Sequence, residues 1–288
     1  GLAGLLGRPS PGALHHPLPG SAEGEGKNAP KSVTLSPHEV GEGGARYERG
    51  EGHSPQNPPV MGGRGAILGR GARAVKLYNS GSFFDPAAIP PEDHAVIAQQ
   101  VKHFERVIVE CHTAFLKGKH RERVLAFRDA IAPARLEIAI GLETAHEGVL
   151  DRLNKRMTLA DFREAAAWLS AENIALRVFI LVRPPFLTEE EGLYWACRSL
   201  DVAAEAGAGF AALIPVRAGN GAMEALRATG AWEPPTLASV EAALEYGQSL
   251  APERMRVTAD LWDISLFATQ PGDDERITRI AARNDGKR

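Results

Sequence analysis

Two nearly unbroken apolar runs, Arg106-Val-Ile-Val-Glu-Cys111 and Ala175-Leu-Arg-Val-Phe-Ile-Leu-Val182, constrain this chain more than any other feature. A strand with one face in water alternates apolar and polar residues. A strand covered on both faces reads as a continuous apolar run, and such strands belong to parallel sheets flanked by helices. Similar runs recur at 73–79, 135–142, 209–216 and 256–261. Between them lie helical patterns. Glu92–His103 carries Val96, Ile97 and Val101 on one face. Thr158–Leu169 opens with Thr158 and Asp161 at capping-box spacing. Thr188–Ala206 opens with Thr188 and Glu191 at the same spacing and stops at Gly207. Alternating strands and helices predict a parallel α/β sheet. About 215 residues follow Arg73, fewer than the about 250 of a closed eight-stranded barrel, so five or six βα units in a partial, TIM-like (β/α) barrel are expected.

Residues 1–72 differ in kind. They hold more than half of the glycines and nearly half of the prolines, with Val33, Leu35, Val40 and Ile67 too scattered to form an apolar face. Burial there cannot offset the entropy of ordering, so the segment is expected to be disordered. The chain opens at Gly1 and its composition changes abruptly at Arg73, which suggests a start other than the native one. The expected organisation is an atypical segment over 1–72, a barrel over 73–265 and a C-terminal helix over 266–288.

The net charge of -3 suggests no dedicated nucleic-acid surface, and no stretch reaches the roughly 18 apolar residues of a membrane span. Cys111 and Cys197 match no zinc or redox spacing and suit a reducing, cytoplasmic setting as core thiols.

Ligands of parallel α/β folds sit at the carboxyl ends of the strands. There the sequence places Asn79, Ser80, Gly81 and Ser82 after the first strand, Glu110 after the second and Glu143 after the third. Arg183, Arg217, Asp260 and Trp262 follow the later ones. Gly81 lets a ligand approach the backbone. Asp85-Pro86 and Pro90-Pro91 are expected to start the next helix. Glu110 and Glu143 end apolar strands, so each needs a partner or a shifted pKa; the plain reading is a salt bridge to Arg183 or Arg217. Lys155-Arg156 suits a carboxylate or phosphate, or equally a solvated loop. His112 and His146 lack metal spacing and read as surface residues.

VKLYNSGSFFDP over 75–86 resembles the strand-two loop of radical S-adenosylmethionine enzymes. Glu110-Cys-His-Thr-Ala-Phe115 resembles the Glu-containing strand-three motif of the elongator-type branch. Gly141-Leu-Glu-Thr-Ala-His146 with Leu153-Asn-Lys-Arg-Met-Thr158 resembles the strand-four signature and its basic residue, and Val182-Arg-Pro-Pro-Phe186 the strand-five turn. Within the superfamily, the similarity points toward the subunit associated with archaeosine synthase. The resemblance implies S-adenosylmethionine bound by Asn79, Ser80, Gly81, Ser82, Glu110, Glu143 and Lys155. It also implies a [4Fe–4S] cluster, and an RNA substrate or a partner subunit.

The family's CxxxCxxC loop, which precedes this strand, has no counterpart: residues 1–74 contain no cysteine. Three functions therefore stay open. One is a radical enzyme whose N-terminus here is corrupted or misframed, inactive as written. Another is a cluster-free barrel that binds a ligand or a partner subunit. The third is an unrelated barrel enzyme using Glu110 and Glu143 as acid and base.

Overall fold

The computed structural model describes residues 72–78, 81–219, 221–250 and 253–286, all within one compact unit of the chain. Residues 1–71, where disorder was expected, lie outside the described residues. Six strands form one sheet: β1 (Ala74–Leu77), β2 (Arg106–Glu110), β3 (Arg135–Glu143), β4 (Ala175–Val182), β5 (Phe210–Pro215) and β6 (Arg256–Ala259). Their spatial order follows the sequence and every pairing is parallel. The sheet curls into a half-barrel with helices between its strands, as the alternation of patterns predicts.

The helices are α1 (Asp93–Val101), α2 (His120–Ala130), α3 (Glu147–Arg152), α4 (Leu159–Ala171), α5 (Glu189–Glu205), α6 (Ala222–Ala228), α7 (Leu237–Leu250) and α8 (Asp273–Asn284). Both expected capping boxes form, at Thr158 with Asp161 and at Thr188 with Glu191. α5 ends before Gly207, whose φ of 78° is the left-handed conformation that glycine adopts at least cost. The helix expected at Asp85-Pro86 begins later. Residues 85–92 run as turns, because Phe83 and Phe84 plunge into an aromatic cluster with His94 and Phe127 and hold the chain there. Helical geometry starts only at Asp93.

One side of the sheet presents Val107, Val109, Ile138, Ile140, Val178, Ile180, Ala211 and Leu213 to the helices, in one continuous apolar core. The opposite face carries charge. Arg177 Nε donates to Glu137 Oε1 at 2.6 Å, and both residues are buried, at 5% and 3% exposure. Arg106 reaches Glu137 from β2 at 3.2 Å, and the Arg177 guanidinium lies 3.7 Å from the centroid of the Phe210 ring on β5. Four neighbouring strands are thus tied across that face.

The β6 edge is sealed by α8. Asn284 Oδ1 accepts from the Ala259 N–H at 2.9 Å, and its Nδ2 donates to the Ala259 carbonyl at 2.8 Å, as a seventh strand would. Asn284→Ala is expected to cost about 1–2 kcal/mol, because it orphans both backbone groups. Urea denaturation measures the loss, and faster amide exchange at Ala259 locates it. An unchanged exchange rate there would show that the edge is protected by something else.

Candidate functional site

The carboxyl ends of β1, β2 and β3 are laced together by hydrogen bonds. The Phe83 N–H donates to the Glu110 carbonyl at 2.8 Å, and the Cys111 N–H to the Ala139 carbonyl at 2.9 Å. The His112 N–H donates to Ser82 Oγ at 2.8 Å, so Ser82 is fixed over the end of β2. Of the four small residues expected there, Gly81 and Ser82 are described and both are half-buried; Asn79 and Ser80 lie outside the described residues. Among the described residues a Cβ at Gly81 would meet only Ala88 Cβ, at 3.4 Å, which is ordinary contact. The fold itself does not demand a glycine at that position.

Glu143 ends β3 in a left-handed conformation, φ 63°, after a register shift between Gly141 and Glu143. The irregularity turns its carboxylate back over Gly141. Lys155 arrives from the α3–α4 loop, between Asn154 and Arg156, which both have positive φ, and its Nζ donates to Glu143 Oε1 at 2.5 Å. The carboxylate partner is therefore Lys155, and neither arginine expected to take that role does so. Arg183 instead donates to Glu189 at 2.7 Å and to the Pro234 carbonyl at 2.8 Å, while Arg217 donates to the Trp262 carbonyl at 2.6 Å. Gly141 has no room for a side chain: a Cβ there would lie 2.8 Å from Lys155 Nζ and closer still to the Glu143 carboxylate.

Glu110 is half-buried with no side-chain partner among the described residues. Burial raises its pKa; Lys155 opposes the rise and Glu143 adds to it. Three titratable groups from β2, β3 and the following loop thus share one field. Below them Tyr78 meets Phe179 edge-on at 5.9 Å, and burial pushes its phenol up to about 12.

His112 is the residue that sequence reasoning missed. It is no surface side chain: it caps the short 3-10 turn Thr113–Leu116 and bonds Lys155. The one signal in the sequence was its place directly after a strand end, where a polar side chain can cap the next turn. His146 caps α3 in the same manner, with its ring 4.6 Å from that of Trp195. Cys111 and Cys197 are buried core thiols as expected, with pKa values raised by burial. Among the described residues no group of His, Cys, Asp and Glu could hold a metal ion, and no helix is long and apolar enough to cross a membrane.

No family model matches the chain. Archaeosine synthase subunit beta of Thermococcus kodakarensis is 31% identical over 134 residues, covering 45% of this chain and 40% of that protein. The protein of the same name from Methanosarcina acetivorans is 30% identical over 187 residues, covering 62% of this chain and 52% of its own length. This chain resembles archaeosine synthase beta subunits. The similarity expected from the motifs is borne out by these relatives. The chain spans about half the length of the curated relatives it matches. Among solved structures, an N-terminally truncated Elp3 from Methanocaldococcus infernus superposes with a TM-score of 0.55 at 12% identity, over 75% of this chain and 55% of that one. At that identity the likeness is one of fold.

Proposed function

We propose that this chain is the cofactor-binding half-barrel of an archaeosine-synthase-like subunit, and that its ligand is S-adenosylmethionine. The observation that carries this is the cluster of Ser82, Glu110, Glu143 and Lys155 at adjoining strand ends, in the motif positions that resemble the radical S-adenosylmethionine family. The donor set fits the ligand. A zwitterionic methionine moiety needs acceptors for its ammonium and a donor for its carboxylate; the backbone carbonyls of Gly81 and Ser82 serve the first and the Lys155 ammonium the second. Glu110, free of a side-chain partner among the described residues, suits ribose hydroxyls, and Glu143 holds Lys155 in place. When bound, the cofactor supplies an activated sulfonium centre, and the side chains bind and orient it. RNA modification, a partner subunit and a cytoplasmic setting enter by the relatives' name and the buried thiols.

A [4Fe–4S] cluster does not fit the residues present. The chain has two cysteines, both buried in the core, so three thiolates would have to come from outside it. No step is routed through a cluster. The reading of Glu110 and Glu143 as a free acid–base pair is not favoured, because Glu143 is engaged with Lys155.

Calorimetric titration of S-adenosylmethionine into the full chain should give saturable binding. The expected Kd is weak, on the order of a millimolar, since the cluster iron adds no chelation. Lys155→Met should weaken it about tenfold by removing a charge-assisted contact. Gly81→Val should weaken it as well while leaving stability unchanged, because among the described residues only Ala88 stands near a Cβ at that position. Saturable binding that neither substitution alters would move the ligand elsewhere.

A further inference from the structure

We infer that His112 is a positioning residue for Lys155, and that it holds the lysine loop only while its imidazole is neutral, so that the site loosens as the pH falls. The inference deepens the proposed function and rests on Lys155 meeting the ligand.

The hydrogen bonds of the ring decide its tautomer. The Ala114 N–H can only donate, and it points at Nδ1 from 3.1 Å. Nδ1 must therefore carry a lone pair. The Lys155 carbonyl can only accept, and it lies 2.8 Å from Nε2. Nε2 must therefore carry the proton. The ring thus bridges the turn after β2 to the backbone of the residue whose ammonium reaches Glu143. That backbone needs a tether. Lys155 sits between two left-handed residues, Asn154 and Arg156, in a segment where each non-glycine φ above zero costs energy. Its own N–H bonds the Leu150 carbonyl at 3.2 Å, and the bond from His112 holds the other end of the residue.

Protonation would add a hydrogen at Nδ1, against the Ala114 N–H, so the charged ring must turn away from its cap, and that turn carries Nε2–H off the Lys155 carbonyl even though this one bond by itself favours the charged ring. The charged groups facing it are Lys155 on the loop, Asp161 on α4 and Glu143 on β3; Ser82 faces the backbone of His112 from the β1–α1 loop. Burial is the largest influence and lowers the pKa below its ordinary 6.5. The hydrogen bond to the Lys155 carbonyl raises it, the Lys155 charge lowers it, and Asp161 and Glu143 raise it. For a depressed imidazole, the stabilising contribution is complete above about pH 6.5 and is lost as the pH falls from there toward the folded value.

Two amides separate the two halves of the ring. In His112→Gln the side-chain nitrogen reaches where Nε2 donates. In His112→Asn the side-chain oxygen replaces Nδ1 as the cap and leaves the Lys155 carbonyl untethered. Amide hydrogen exchange over 154–157 in the ligand-free full chain should quicken about tenfold in His112→Asn and stay near the parent rate in His112→Gln. Between pH 7.5 and pH 5, S-adenosylmethionine affinity of the parent should fall about threefold further than that of His112→Gln, which keeps every other titrating group. Ring nitrogen chemical shifts of the unsubstituted protein provide a check that needs no variant: Nδ1 should be the unprotonated nitrogen at pH 7.5. A protonated Nδ1, or unchanged exchange over 154–157 in a folded His112→Asn, would overturn the tie between His112 and Lys155. Equal pH dependence in the parent and His112→Gln would overturn the switch. A parent that binds no S-adenosylmethionine while His112→Asn still frees 154–157 would overturn the choice of ligand and leave the tie standing.

Discussion

Glu137→Ala is expected to lower the stability of the chain by about 3–5 kcal/mol, the largest loss from any single substitution argued for this fold. Glu137 is 3% exposed and accepts from Arg177, itself 5% exposed, at 2.6 Å. Removing the carboxylate strands a guanidinium that water cannot reach. Arg106 cannot compensate, because it carries the same charge and its own side chain is half in solvent. The Phe210 ring under Arg177 contributes a cation–π contact that is too weak to offset the burial of an unpaired charge. The pair is replaceable as a unit. Glu137→Leu combined with Arg177→Met should recover most of the loss, since apolar residues of similar volume avoid desolvating either charge. Chemical denaturation of the two single variants and the double variant decides it. Near-additive losses in the double variant would mean that each residue stabilises the sheet through separate contacts.

The same pair shows which parts of the fold were legible beforehand. β2 and β4 are covered on both faces, so their residues form apolar runs with no other plausible assignment. The capping boxes at Thr158 and Thr188 are local, closed within three residues, and readable for that reason. The helix start at Asp85-Pro86 was misread because proline tolerance is a local rule, whereas the position of Phe83 and Phe84 is set by Phe127, far along the chain. The arrangement of Glu137 with Arg177 was equally invisible: each looks like a solvated charge in its own strand, and only the parallel register makes them neighbours on one face. In the candidate site, strand-end positions were legible from the alternation, and the motif resemblance marked Lys155. The partner of Glu143 was not. It depends on a register shift in β3, which Gly141 marks without saying where Glu143 then points, and on two left-handed residues flanking Lys155, neither of them a glycine.

Gly141→Val should abolish most ligand binding while leaving the fold intact, with an expected loss of about tenfold, the same as Lys155→Met, since both take away one charge-assisted contact. Gly141 lies on β3 with no positive φ, and valine is at home in a strand, so the backbone tolerates the change. The space does not. A Cβ would stand 2.8 Å from Lys155 Nζ and against the Glu143 carboxylate. Both are ends of side chains, so they swing away and the sheet keeps its register. The ion pair that presents Lys155 is then gone, although Lys155 and Glu143 are both still there. A double-mutant cycle identifies the route. If the valine acts by displacing Lys155, Gly141→Val should cost little further affinity in a Lys155→Met background, because the contact is already absent. Thermal unfolding of the single variant, within a few degrees of the parent, excludes a general loss of structure. Parent-like affinity in a folded Gly141→Val would mean that the paired Lys155 is not what the ligand meets, and losses that simply add in the double variant would place the effect of the valine elsewhere on the face.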